Sequence, residues 1–160
     1  MKIRDRIKNK FMERNDKFQE SIGYIANYLI RLCENSDGNV IGISSSRECK
    51  EEKLDICRIL NKEINKKGLN SKLIDSEREG IGISKNLEEV LTKERTKNDL
   101  IIVNIPSIPD YADGVEYAQK CDILLLLERY MYSTYKDYEE TLIRLKSYGI
   151  KPDGVITYEM

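Results

Sequence analysis

The 160-residue sequence contains no histidine and no tryptophan, three prolines and two phenylalanines. Without histidine there is no imidazole general base, no Ser–His nucleophile pair and none of the commonest zinc ligand. The four cysteines, at 33, 49, 57 and 121, show no CxxC spacing. Small buried hydrophobes in a reducing compartment are expected of them, rather than a disulfide framework. The longest purely aliphatic run, Ile123 to Leu127, is far short of the ~20 residues that span a bilayer. The N-terminus is charged throughout, with no apolar signal-peptide core, so a soluble, cytoplasmic chain is expected. One absence is local: no glycine lies between Gly42 and Gly68.

What is present is a globular composition, 40% hydrophobic and 34% charged, with a net charge of −1. A chain of this length forms one domain, 1–160, that buries roughly 70% of its unfolded surface. Near-neutral charge gives no case for a nucleic-acid partner. The charge is uneven, however. Residues 1–17 hold seven Lys/Arg against Asp5, Glu13 and Asp16, whereas 110–140 hold eight acids against Lys120, Arg129 and Lys136. A basic terminus of this kind reads as a solvated end, with contact to a membrane surface or acidic partner as the other reading.

Apolar positions at Phe18, Ile22, Ile25, Leu29 and Leu32/Cys33 step by three and four, predicting a helix over about 11–34 that packs on the sheet of its own chain, with a homodimer contact through this helix as the other reading. Val40–Ser44 reads as a buried strand, and Glu48–Lys67 as a helix with Leu54, Cys57, Leu60 and Ile64 inward. Further strands are expected at Ser71–Asp75, Leu100–Val103, Ile123–Leu127 and Gly154–Thr157. Helices are expected at Asn86–Leu91, after a turn with Gly80 and Gly82, and at Asp113–Gln119. A last helix, capped by Thr134, would have Tyr135, Tyr138, Leu142 and Leu145 inside. Strands apolar on both faces and alternating with helices imply an α/β fold, a parallel sheet of about five strands flanked by helices. In such a sheet ligands bind at the C-terminal ends of the strands. That rim would gather Ser44–Glu52, Asp75–Glu77, Asn104–Asp113 and Arg129–Thr134.

The segment Asn39–Lys53, NVIGISSSRECKEEK, runs from buried strand to charged helix, the place where a phosphate-binding loop belongs. Together with the later junctions it resembles the cytoplasmic tyrosine autokinases of bacterial capsule and exopolysaccharide synthesis. More broadly it resembles the deviant-Walker P-loop ATPases of the MinD and ParA kind. That family's T-S-S-x-P-G-E-G-K-S-T is matched by Ser44–Leu54, and its V-L-L-I-D-x-D by Ser71–Glu77. D-L-I-I-I-D-T-P-P is matched by Asp99–Ser107, A-D-x-x-L-L-V-x-R by Cys121–Arg129, and G-V-V-L-N by Gly154–Tyr158. The resemblance covers about residues 16–158 and implies the three-layer P-loop fold.

The departures bear on activity. A phosphate loop needs glycines, so that successive N–H groups can wrap the phosphates, and a lysine to reach the outer ones. In the alignment Cys49 and Glu51 take the glycine positions, Glu52 the lysine position and Lys53 that of the magnesium-binding hydroxyl; Ser46 lies in the same loop. A one-residue gap would make Lys53 the lysine without restoring a glycine. Glu48, Glu51 and Glu52 suit a helix N-terminus on their own account and would repel phosphate. Asn104 stands where the family has the Asp of the magnesium shell. Asp75 and Glu77 remain, a thin ligand set for a cation. The family's E-x-x-R-x-x-R oligomerisation motif falls on Glu20, Gly23 and Ala26, so both arginines of the ring-forming motif are missing.

In the kinases a C-terminal tyrosine cluster is the phosphorylated tail. Here Tyr130, Tyr132, Tyr135 and Tyr138 precede the last strand; Tyr130 and Tyr132 are expected on the rim, free to meet a ligand or partner. The resulting expectation is a non-catalytic pseudokinase, a binding or regulatory module without catalytic residue, bound metal, ATP or other cofactor. Its partner would be a membrane polysaccharide co-polymerase or an active kinase. The alternative is an ATPase or tyrosine kinase with a rebuilt Mg-ATP site on Lys50 or Lys53 with Asp75, Glu77 and Asp113.

Overall fold

The computed structural model describes residues 3–76 and 84–159, with side chains described over 17–76 and 87–159. The element order is α1 (Ile3–Glu34), β1 (Val40–Ser44), α2 (Lys50–Lys66), β2 (Ser71–Asp75), α3 (Ser84–Arg95) and β3 (Leu100–Asn104). It continues with α4 (Ala112–Lys120), β4 (Ile123–Arg129), α5 (Tyr135–Ser147) and β5 (Gly154–Tyr158). The strands form one five-stranded sheet in the order β2-β3-β1-β4-β5, with every pairing parallel. This is the α/β sandwich that the alternating apolar strands and helices predict.

The three inner strands β1, β3 and β4 are apolar on both sides because both sides are covered. On one face Ile22, Ala26 and Leu29 of α1 and Cys57, Leu60 and Ile64 of α2 pack on Ile41, Ile43, Ile102, Leu125 and Ile156. On the other, Leu87 and Leu91 of α3, Val115 and Ala118 of α4 and Leu145 of α5 pack on Val40, Ile101, Val103 and Leu124. The strand starts are fastened by carboxylates: Asp122 accepts the Val40 N–H at 3.0 Å and Arg95 at 2.8 Å, and Asp153 accepts the Leu124 N–H at 2.9 Å. Gly38 is glycine because a Cβ there would overlap the Asp122 carboxyl.

Two inward expectations are corrected. Phe18 is exposed, because α1 starts at Ile3 and meets the sheet only from Ile22 onward. Tyr135 is 80% exposed: it opens α5 beyond the end of β4, where no sheet lies beneath it, and Thr141 and Leu145 form the buried stripe instead. Thr134 does cap α5, accepting the Asp137 N–H while Asp137 accepts its own, the reciprocal capping box. The turn with Gly80 and Gly82 and the side chains of residues 1–16, including most of the basic terminus, lie outside the described residues.

β1 is central, with β3 on one side and β4 on the other. Chain connections therefore leave it in opposite directions, and the crevice beyond β1, β3 and β4 is where this topology places ligands.

Candidate functional site

The site is built on the loop Ser45–Cys49 between β1 and α2. A nest of backbone N–H groups that grips a phosphate requires a residue in the left-handed region, the conformation for which glycine is the default. No residue of this loop has a positive φ; Met131 is the one non-glycine residue that does among those described. Two N–H groups of the loop leading into α2 are instead satisfied by the chain's own carboxylates. Glu128, at the end of β4, accepts the Ser46 N–H at 3.0 Å and the Ser46 hydroxyl at 2.5 Å through one oxygen. Glu48 accepts the Cys49 N–H at 3.1 Å. The second oxygens of Glu48 and Glu128 are buried and have no partner among the described residues.

The first turn of α2 supplies the other parts. Glu52 accepts Arg129 at 3.0 Å on one oxygen and the Tyr158 hydroxyl at 2.7 Å on the other. Burial first, and the Glu52 hydrogen bond next, push the Tyr158 phenol far up, so it stays a donor. Lys53 is fully buried and donates from Nζ to the Ile105 carbonyl at 2.6 Å, one residue beyond Asn104. Asn104, buried at the end of β3, donates to Asp75 at 3.1 Å, while its own side-chain oxygen has no described partner. The Ser45 hydroxyl is in the same condition.

A strap from the β4–α5 connection closes over this loop. The Tyr132 hydroxyl donates to the Glu48 carbonyl at 2.9 Å, and Arg47 donates to the Tyr132 carbonyl at 2.9 Å. The Tyr132 ring lies against two guanidinium groups, Arg47 at 4.4 Å and Arg129 at 5.3 Å, contacts that are favourable for a cation over an aromatic face. On the far side Lys50 stands over the Tyr111 ring at 5.2 Å.

Ser46, Cys49, Glu52, Asp75 and Asn104 are thus gathered on one rim as the rim ranges predict, with buried Lys53 reaching the carbonyl beside Asn104. Glu51 is exposed there and Glu77 lies outside the described residues. Of the residues named for a rebuilt site, Asp113 is exposed on the first turn of α4. The freedom expected of Tyr132 is corrected: it holds the strap to the loop, while Tyr130 is exposed. Sequence reading did not single out Glu128. Its signal was a lone acid ending the most apolar strand, LLLLE, where an ionised side chain needs a partner.

The remaining candidates are inert. Burial raises the Cys33 thiol to about 11 and those of Cys57 and Cys121 to about 12, so all three stay protonated at neutral pH. All four cysteines are free. Ala26, at the second arginine position of the oligomerisation motif, is fully buried in the core, where an arginine has no room for its charge. Among the described residues no helix is long and apolar enough to cross a membrane.

No protein-family model and no curated protein matches the sequence. Solved structures do match. The BceF tyrosine kinase domain superposes with a TM-score of 0.75 at 13% identity, over 86% of this chain and 76% of that one. The VpsO kinase domain gives 0.72 at 19% identity, over 94% and 98%. The kinase domain of the Escherichia coli tyrosine kinase Etk gives 0.65 at 14%, over 77% and 68%. At these identities the likeness establishes the fold, that of bacterial tyrosine kinase domains.

Proposed function

We propose that this chain is a non-catalytic, kinase-like module, a binding or regulatory protein whose nucleotide site is filled from within. The observation that carries the reading is Glu128: a carboxylate of the chain takes the loop N–H and hydroxyl of Ser46, where the fold would present donors to a phosphate. Lys53 supports it from the other side, since its ammonium is spent on the Ile105 carbonyl beside the strand end where Asn104 replaces the metal-holding acid. Glu52, at the position of the phosphate-reaching lysine, is committed to Arg129 and Tyr158.

The donor set does not fit ATP with magnesium. Two buried carboxylate oxygens without partners, on Glu48 and Glu128, repel the phosphates that the site would have to hold. The resemblance to the autokinases of capsule and exopolysaccharide synthesis suggests the setting, with a membrane co-polymerase or an active kinase as the partner that this module binds.

Incubation with ATP labelled at the γ-phosphate, in the presence of magnesium, tests the reading. The expected outcome is no label on any of the ten tyrosines and no release of phosphate above a buffer control. Label on tyrosine that disappears in a Lys53→Met variant would establish the rebuilt kinase site instead.

A further inference from the structure

The two edges of the sheet are unlike. β2, on one edge, is guarded: Lys72 at its second position pairs with Glu94 at 3.2 Å, and the backbone of Ser71 is held by Asn65. β5, on the other edge, is Gly-Val-Ile-Thr-Tyr, without charge or proline, and Val155 is 43% exposed. Natural edge strands are ordinarily blunted by lysine, proline or a bulge, because an unpaired ladder invites another strand.

Exposed apolar side chains flank the same edge. Of the ten large exposed hydrophobic residues among those described, Tyr24 and Tyr28 lie on α1, Val155 on β5, Ile143 on α5 and Tyr148 at its C-cap, the elements that flank this edge. Tyr24 and Tyr28, one helical turn apart on α1, stand beside β5, the Tyr28 hydroxyl lying 3.0 Å from where a Cβ on Gly154 would be. On the opposite face α5 exposes Ile143, and its C-cap Tyr148 is exposed as well. Exposed aromatic and aliphatic side chains beside an unpaired ladder mark an interaction site.

We propose that this side is a homodimer interface, in which β5 pairs antiparallel with β5 of a second copy about a two-fold axis normal to the sheet. The occupant is a copy of this chain because the surface is complementary to itself. β5 carries no charge to oppose its own image. On α5 the exposed acids Glu139 and Glu140 precede Ile143, and the exposed bases Arg144 and Lys146 follow it. A helix related by the two-fold runs antiparallel and sets acid against base. A foreign strand would satisfy the β5 ladder but leave the helix faces on both sides uncovered, whereas the two-fold brings like faces together above and below the sheet. A strand of five residues is only ~17 Å long, so the aromatic flanks are needed to reach the ~800 Å² per partner of a stable interface.

Sedimentation velocity on the whole chain from about 1 to about 100 μM tests the proposal, a range in which a micromolar dimer dissociates and re-forms. The average mass is expected to rise from one chain to two. Val155→Lys should hold the chain monomeric at every concentration, with unchanged circular dichroism and melting temperature. Tyr24→Ser with Tyr28→Ser should weaken association at least about tenfold, and Tyr111→Ser should leave it intact. A wild-type monomer throughout, or a dimer indifferent to Val155→Lys, would overturn the proposal without touching the reading of the nucleotide site.

Discussion

Replacing Glu128 by alanine is expected to destabilise the chain by about 2–4 kcal/mol and to make it responsive to inorganic phosphate. Glu128 is 8% exposed and its carboxylate receives both the N–H and the hydroxyl of Ser46, which is 1% exposed. Hydrogen bonds to a charged acceptor stabilise by roughly 1.5–3 kcal/mol each, and a buried N–H left without an acceptor costs about 1–3 kcal/mol. Against this stands relief of the second carboxylate oxygen, buried without a described partner. Glu128→Gln separates the two effects. Its amide oxygen still accepts from Ser46 and its charge is gone, so a loss within about 1 kcal/mol is expected.

The alanine variant should also recover stability in phosphate or sulfate, because an anion that binds only the folded state stabilises by mass action. Urea titrations of the three proteins, with and without phosphate at matched ionic strength, measure both effects. Wild type and Glu128→Gln should be indifferent to phosphate. A neutral Glu128→Ala would mean that Glu128 does not occupy the loop in solution.

Lys53→Ala is expected to cost about 3–5 kcal/mol, and Lys53→Met within about 1 kcal/mol of zero. Lys53 is among the largest fully buried side chains, and among the described residues its Nζ donates to the Ile105 carbonyl alone. Alanine removes four heavy atoms from a packed site and leaves both a cavity and an orphaned carbonyl. Methionine fills the same space without carrying a charge out of water, a saving that offsets the lost hydrogen bond. Chemical denaturation of both variants decides the point. A lysine kept for nucleotide would show a different pattern, with both variants stable and nucleotide binding abolished in both.

Much of the fold was legible in the sequence because its signals are local. β1 and β2 fall at the predicted residues, Val40–Ser44 and Ser71–Asp75, each being a short apolar or β-prone run bounded by turn residues. The Thr134 cap was legible for the same reason, since Thr134 and Asp137 carry the whole motif within four residues. Helix ends were less so. α3 runs from Ser84 to Arg95 rather than over Asn86–Leu91, because its flanks are polar and its length is set by packing on α4. Phe18 and Tyr135 kept the helical spacing of a buried stripe but lie where no sheet is present to cover them. Periodicity reports which face turns inward and says nothing of where the partner ends.

The candidate site was legible in its membership and opaque in its pairing. Strand-end positions predicted that Ser46, Asp75 and Asn104 share one rim. The partners that fill the rim, Glu128 for Ser46 and Arg129 with Tyr158 for Glu52, come from 77 to 106 residues away. No spacing rule connects residues so distant. The missing glycines acquire a physical sense only with the backbone in view: a loop that stays at negative φ has no need of them.

Isothermal titration of the wild-type chain with Mg-ADP and Mg-ATP tests the central claim most directly, because an internally filled site needs no inference from activity. The account predicts no saturable heat up to millimolar nucleotide, before or after removal of trace metal. A dissociation constant in the micromolar range, about −8 kcal/mol of binding, would contradict it.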